Sequence, residues 1–533
     1  MKHKKKVLIV GLDGFTWRIG KKMIREGHLP VLGKLIEQGV HGNLNSIVPA
    51  ETSPAWSSFQ TGCRPDKTGV FAFHGFQRAT QNIKLNSFQE IKVPTIWELL
   101  SAAGKKVVSI NMPMTSPPPR INGVIIPGLT CPALSRQTTY PPEVYDKYIS
   151  PNPDYLIVNN EHQPTLSDYV AQAVRTEENR CHLALQLMHD IEWDLFSIQI
   201  QSTDVFQHRN WYALDPQAEG FTEEAYAEAL VLYKNIDAIL GRLIEAAGQP
   251  LLTIVVSDHG FRVKKAEIGI NTWLAQNGYL FLDSTVKTSA SVNLKEKLKK
   301  SLPILKSLAK VYGKILHSFK QRGQETKSDL YAEKVVKHIR ETIDMDQTSA
   351  FSLGGMAGLL YLTDRTHKEK AQQIIKQLLT AYGPASPDPL IRNIQPVDTF
   401  YQYTEENYPD YIISFMPGVG ARINPDGEIV DPGITDGKHS GIHEEEGVLV
   451  LHGPSVKSGL HLNANIIDIA PTVLSYFSSS IPRHIDGKSL NNAFIDGIDI
   501  HYTESEKSSK NDLIYSDREQ NSVEKQLKDL GYL

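Results

Sequence analysis

Asp258 and His259 close the apolar run Thr253-Ile254-Val255-Val256-Ser257 and precede Gly260-Phe261. The β-branched run predicts a strand buried on both faces. Such a strand has little reason to end on an acid and an imidazole unless its carboxyl end opens into a site, and in open α/β sheets that end is where ligands sit. A carboxylate beside an imidazole offers one hard and one borderline ligand, a pairing suited to Zn²⁺ or a similar divalent ion. The structural alternative is a capping aspartate followed by an ordinary loop histidine.

Other stretches can reach the same place. Val7-Leu8-Ile9-Val10-Gly11-Leu12-Asp13-Gly14 is a second apolar strand ending on an acid, so Asp13 is a candidate for the same sheet edge, with a turn aspartate as the alternative. Thr52 stands at or just before a helix start, with Pro54 in the first turn, where proline is tolerated. It would serve as an N-cap. It would also place a hydroxyl at the positive end of a helix, where an anion such as phosphate is favoured. A threonine hydroxyl needs a metal ion or a base beside it to attack at neutral pH. Asp204 and His208, four apart, project from one face of a helical turn, although the same pattern is common on surface helices. The polar loop before the strand at residues 448–451 carries His439 and His443. Asp13, Asp204, His208, Asp258, His259 and one late histidine suffice for two divalent ions about 4 Å apart.

The elements expected around these residues alternate between strand and helix. Residues 17–39 read as helical, interrupted at Leu29-Pro30; residues 46–76 read as strand, turn and helix. A helix over 95–103 precedes a strand over 106–110, and a long helix over 166–190 leads to a strand over 194–199. A glycine-rich hairpin or strand is expected over 350–362, a helix over 367–382, a strand over 410–415 and a helix over 466–477. The alternation predicts an α/β fold: a doubly wound, mostly parallel central sheet with helices on both faces, plus inserted helical cap segments. Residues 1–500 are expected to form the catalytic domain. A basic amphipathic helical segment is inserted around 285–330, and residues 501–533 form a polar linker and a short amphipathic helix containing Val523, Leu527 and Leu530.

Composition narrows the class. The chain has 533 residues, 41% of them hydrophobic, and a formal net charge of −4, enough for a large core and without the basic excess that binding a nucleic acid polymer calls for. Cys63, Cys131 and Cys181 are few, odd in number and widely spaced, which fits a reducing compartment better than a disulfide framework. The apolar run after the lysine-rich start is too short for a secretory signal, and no stretch approaches a membrane span. A soluble, cytoplasmic protein is expected. The basic segment leaves membrane association open but not favoured, and oligomeric state is not legible.

The set as a whole resembles the alkaline phosphatase superfamily, in its type I phosphodiesterase and nucleotide pyrophosphatase branch. The residues that carry the resemblance are Gly11-Leu12-Asp13-Gly14, Thr52-Ser53-Pro54-Ala55-Trp56 with Thr61-Gly62, Pro94-Thr95-Ile96-Trp97, Asn111-Met112-Pro113, Ser202-Thr203-Asp204 with His208, Ser257-Asp258-His259-Gly260-Phe261, and Asp468-Ile469-Ala470-Pro471-Thr472. The resemblance implies one ion held by Asp13, Asp258 and His259 and touched by Thr52. It implies a second held by Asp204, His208 and His443, with His439 as the rival late ligand. Zn²⁺ is the first expectation for both ions and Mn²⁺ the second. The implied reaction is hydrolysis of a small phosphorylated substrate, nucleotide-like or phosphonate-like, in two displacements: Thr52 attacks phosphorus, and water then releases the phosphate.

Three positions depart from the family pattern. Ala55 stands where nucleotide pyrophosphatases commonly carry asparagine, and Thr68 replaces the histidine of T-G-x-x-P-x-x-H-G. Cys63-Arg64-Pro65-Asp66-Lys67 approaches the sulfatase signature but ends in lysine. Two other readings use the same residues: a phosphotransferase in which an alcohol replaces water, and a binding protein that has kept the fold without catalysis.

Overall fold

The computed structural model describes residues 5–158, 163, 165–283, 343–425, 427–432, 440–504, 515–530 and 532. The basic segment expected around 285–330 and the rival His439 lie outside the described residues. The strands of the central sheet, with the ribbon beside it, are β1 (Val7–Leu12), β2 (Val40–Asn45), β3 (Val107–Ile110), β4 (Gly123–Ile126), β5 (Leu195–Ile200), β6 (Leu252–Val256), β7 (Gly260–Val263), β8 (Gly441–Glu444), β9 (Glu446–His452), β10 (Leu460–His461) and β11 (Ala464–Asn465). Nine of them form one sheet in the order β10-β2-β9-β6-β1-β5-β3-β4, with β11 also beside β2. All neighbours pair parallel except around β9, which runs antiparallel to both β2 and β6. β7 and β8 pair antiparallel as a separate ribbon.

Alternation along β1 builds a core on each side of the sheet. Leu8, Val10 and Leu12 enter one core and Val7 and Ile9 the other, as period-two geometry requires. The helices used below are α1 (Trp17–Arg25), α2 (Pro30–Gln38), α3 (Thr52–Thr61), α4 (Leu166–Asp190), α5 (Ser202–Asn210), α6 (Glu223–Ala247), α7 (Ile469–Tyr476) and α8 (Asp517–Leu530). On the first face, α4 and α6 contribute Leu183, Leu187, Tyr233 and Leu240; Val523, Leu527 and Leu530 of α8 join the same core. On the other face α3 and α7 contribute Trp56, Phe59, Ile469 and Val473. The α/β fold with a mostly parallel central sheet is therefore as expected.

Several local expectations are refined. The helical stretch expected over 17–39 is two helices, α1 and α2, the second starting on Pro30. Glu51, not Thr52, is the N-cap residue of α3; Thr52 is the first helical residue. Residues 350–362, expected as a hairpin or a strand, form a hairpin whose strands belong to a separate four-stranded antiparallel sheet that also contains Tyr411–Phe415 and Ile391–Pro396. His443, expected in a polar loop, lies on β8 opposite Phe261 of β7. Among the described residues no helix is long and apolar enough to cross a membrane.

Close packing reaches the edge of the site through one glycine. A Cβ added to Gly11 in β1 would lie 2.5 Å from Cη2 of Trp56, a fully buried ring whose indole N–H donates to Asp13 Oδ2 at 2.8 Å. Gly11→Ala should therefore destabilise the protein by about 1–3 kcal/mol and displace the Trp56 ring. Thermal melts with tryptophan emission check both; unchanged melting and emission would contradict this packing.

Candidate metal centre

Parallel pairing brings β6, β1 and β5 to a common edge, with Ser257-Asp258-His259, Asp13-Gly14 and Gln201-Ser202 just beyond their carboxyl ends. β2 is parallel to β6 through β9, so the chain leaving β2 reaches Thr52 at that edge too. β9 runs the other way, which puts β8, and His443 with it, immediately before the same edge. α5 starts at Ser202 and carries Asp204 and His208 one turn apart. Sheet order alone thus explains why segments so distant in sequence converge.

All seven residues singled out in the sequence come together. Asp13, Thr52, Asp204, Asp258 and His259 are fully buried, and His208 and His443 nearly so. Two candidate metal sites result: Asp13, Asp258 and His259 form one set, and Asp204, His259 and His443 the other, with all ligand atoms of each set within 4.8 Å of one another. His259 belongs to both, its Nε2 lying 3.2 Å from Asp258 Oδ2, 3.7 Å from Asp13 Oδ1 and 3.9 Å from Asp204 Oδ1. His208 joins the second set through Nε2, 3.6 Å from Asp204 Oδ1 and 2.8 Å from His443 Nε2. Thr52 Oγ1 is 3.4 Å from His259 Nε2.

Hydrogen bonding around the cluster shows which atoms are left for a ligand. The Nδ1 atoms of His208, His259 and His443 face the backbone carbonyls of Gly441, Gly260 and Ala50 at 3.3, 3.2 and 3.1 Å. A carbonyl only accepts, so these contacts favour a proton on Nδ1 and a lone pair on Nε2 facing the site. Carboxylates follow the same division. Asp13 Oδ2 accepts from Trp56 and from Gln199 Nε2 at 2.6 Å, Asp258 Oδ1 accepts from Gly14 N at 3.1 Å, and Asp204 Oδ2 accepts from the Tyr532 hydroxyl. Their other oxygens, Asp13 Oδ1, Asp258 Oδ2 and Asp204 Oδ1, are buried without a hydrogen-bond partner. Three free carboxylate oxygens and three imidazole lone pairs facing one another form a donor set that fits divalent cations.

Electrostatics agree. The Asp13 carboxyl is pushed well above its usual range by burial, then by Asp258 and Asp204; the Asp258 carboxyl is also pushed up by burial and by Asp204. Burial, followed by His443, lowers His259 well below the ordinary imidazole value. Cys63, by contrast, is buried at the far end of α3 with its thiol pushed up to about 12. The remaining nine residues of α3 and Gly62 separate it from Thr52, roughly 15 Å of chain, so the sulfatase-like signature does not reach the site.

Known proteins provide the family. The sequence matches the one described as type I phosphodiesterase / nucleotide pyrophosphatase over residues 7–354. The chain belongs to that family, within the alkaline phosphatase superfamily. Members of the type I phosphodiesterase family are phosphodiesterase and pyrophosphatase hydrolases. Among solved structures, human ectonucleotide pyrophosphatase/phosphodiesterase 5 is similar with a TM-score of 0.54 at 13% identity, covering 92% of this chain and 100% of its own. Phosphonoacetate hydrolase from Sinorhizobium meliloti 1021, in complex with phosphonoformate, gives a TM-score of 0.52 at 12% identity, with coverage of 88% and 94%. At these identities the likeness is one of fold. No curated protein sequence matches significantly.

Sequence reasoning missed the residues that hold the ligands. Gln199 and Gln201 could have been noticed as amides at the end of an otherwise apolar strand. Tyr532, 328 residues from Asp204, carries no local signal at all.

Crowding of buried carboxylates has a measurable cost. A carboxyl raised in the folded state binds more protons folded than unfolded, so its contribution to stability falls as pH rises above the unfolded value. With chelator at pH 7.5, Asp258→Asn should therefore be more stable than wild type by about 1–4 kcal/mol, the gap narrowing toward pH 5, while losing metal uptake. Denaturation curves at the two pH values check it; a metal-free wild type more stable than the variant at pH 7.5 would contradict it.

Proposed function

We propose that this member of the type I phosphodiesterase family is a two-metal phosphohydrolase that cleaves phosphodiester or phosphomonoester bonds of a small, nucleotide-like or phosphonate-like substrate, with Thr52 as nucleophile. Asp13, Asp258 and His259 would hold one ion and Asp204, His208 and His443 the other, with His259 close enough to both sets to fix their spacing. Zn²⁺ suits this mixed carboxylate and imidazole set, and Mn²⁺ is the alternative. Two such ions would supply charge stabilisation for the attacking and leaving oxygens of an in-line displacement.

The observation that carries the reading is the position of Thr52. Its hydroxyl is 3.4 Å from His259 Nε2, at the first residue of α3, where the helix dipole and free backbone amides favour an incoming phosphoryl group. In the first displacement the Thr52 Oγ1–P bond forms and the bond from phosphorus to the leaving oxygen breaks, the hydroxyl proton passing to solvent. Water then breaks the Oγ1–P bond, restoring the hydroxyl and releasing phosphate or a phosphomonoester. A cleft of about 220 Å³ opens beside the site, lined by Ala50, Arg262, Met356, Arg392, Met416 and His443 among others. Arg262, ion-paired with Glu444, and Arg392 share that cleft with Glu445, Glu446 and two methionines, a lining of mixed charge. The transferase reading took its motive from the basic segment, outside the described residues, and nothing in the cleft favours it over hydrolysis.

Purified protein should turn over bis(p-nitrophenyl) phosphate or p-nitrophenyl phosphate and stop when chelated. Thr52→Ala should lower kcat by roughly 10³-fold or more while still taking up two ions by elemental analysis. Wild-type turnover in that variant would overturn the assignment of the nucleophile.

A further inference from the structure

We infer that Tyr532 is a positioning residue of the metal centre, locking Asp204 from the far end of the chain. The inference rests on the two-ion reading above and names a part of the site that no sequence motif contains. The Tyr532 hydroxyl donates to Asp204 Oδ2 and accepts from Gln201 Nε2 at 3.1 Å. Gln201 Oε1 in turn accepts from Gln199 Nε2 at 2.8 Å, and the same Gln199 nitrogen donates to Asp13 Oδ2 at 2.6 Å. Asn111 Nδ2 anchors Gln199 through its Oε1 at 2.8 Å. One chain of hydrogen bonds therefore runs from Asp13, in the first candidate metal site, to Asp204, in the second.

The chain occupies only the outer carboxylate oxygens. Asp13 Oδ1 and Asp204 Oδ1 keep their lone pairs and face the cluster. A carboxylate held by one oxygen cannot swing, so its other oxygen is fixed for the ion. Tyr532 completes this for Asp204 because, among the described residues, it is the hydrogen-bond donor on Oδ2.

The tail is built to hold that phenol in place. Val523, Leu527 and Leu530 of α8 are fully buried, and the Tyr532 backbone N–H returns to Leu527 O at 2.9 Å. The Tyr532 ring packs 5.2 Å from Phe73, 5.5 Å from His208 and 6.1 Å from His443, centroid to centroid. Arg209, beside the ligand His208 on α5, donates to the Asp529 carbonyl. The helix carrying two ligands is thus tied to the tail at both Asp204 and Arg209.

Zn²⁺ titration of chelator-stripped full-length protein by calorimetry tests this with Tyr532→Phe, which keeps the ring and removes one oxygen. Wild type should bind two ions; Tyr532→Phe should bind one as wild type and the other roughly 10–100-fold more weakly. Gln201→Leu, which removes the amide that aims the phenol, should move the same ion in the same direction. Both ions bound with wild-type affinity by Tyr532→Phe, or weakened equally, would overturn the role of Tyr532 and leave the two-ion reading standing. A wild type that takes up no ion would overturn both.

Discussion

Six potential ligand atoms aimed at one another are the constraint on which the rest of this structure depends. Three carboxylate oxygens and three imidazole nitrogens meet among buried side chains. His208 Nε2 and His443 Nε2 stand 2.8 Å apart. A buried acceptor without a donor costs roughly 1–3 kcal/mol, and like charges add to that. Cations relieve all of these conflicts at once, which is why the arrangement reads as a metal centre and not as a polar core.

The sheet imposes the convergence and the surrounding hydrogen bonds impose its direction. Three adjacent parallel strands end together, and the single antiparallel strand β9 returns β8 to the same edge. Beyond the strand ends, Ser257 Oγ donates to Phe15 O and accepts from Val448 N, both at 2.7 Å. Thr203 Oγ1 donates to Asp13 O at 2.6 Å. These bonds hold the backbone under the ligands while backbone carbonyls, amides and Trp56 fix which ligand atom faces inward. On the two-ion reading, metal affinity would depend on that outer layer as much as on the ligands.

Much of this was legible in sequence because the rules are local. Asp13 and Asp258 each follow a β-branched run that has no polar face, and Asp204 and His208 share a helical face by spacing alone. His443 was placed near the sheet but expected in a loop; its strand exists only through pairing with Gly260–Val263, far away in sequence, and periodicity does not see such partners. The role of the tail was invisible for the same reason. Val523, Leu527 and Leu530 announce an amphipathic helix, but the residues that receive it, His74 at Glu524, Pro132 at Ser522 and Arg209 at Asp529, lie hundreds of positions away. Asp468, part of the family resemblance, holds structure: its side chain accepts from the backbone amides of Asn465 and Lys488.

Anomalous diffraction from crystals grown with Zn²⁺ or Mn²⁺ tests the central claim most directly. The account predicts two peaks about 4 Å apart, one bounded by Asp13, Asp258 and His259 and the other by Asp204, His208 and His443. A single peak, or density that leaves the Asp204 side of the cluster without an ion, would contradict it.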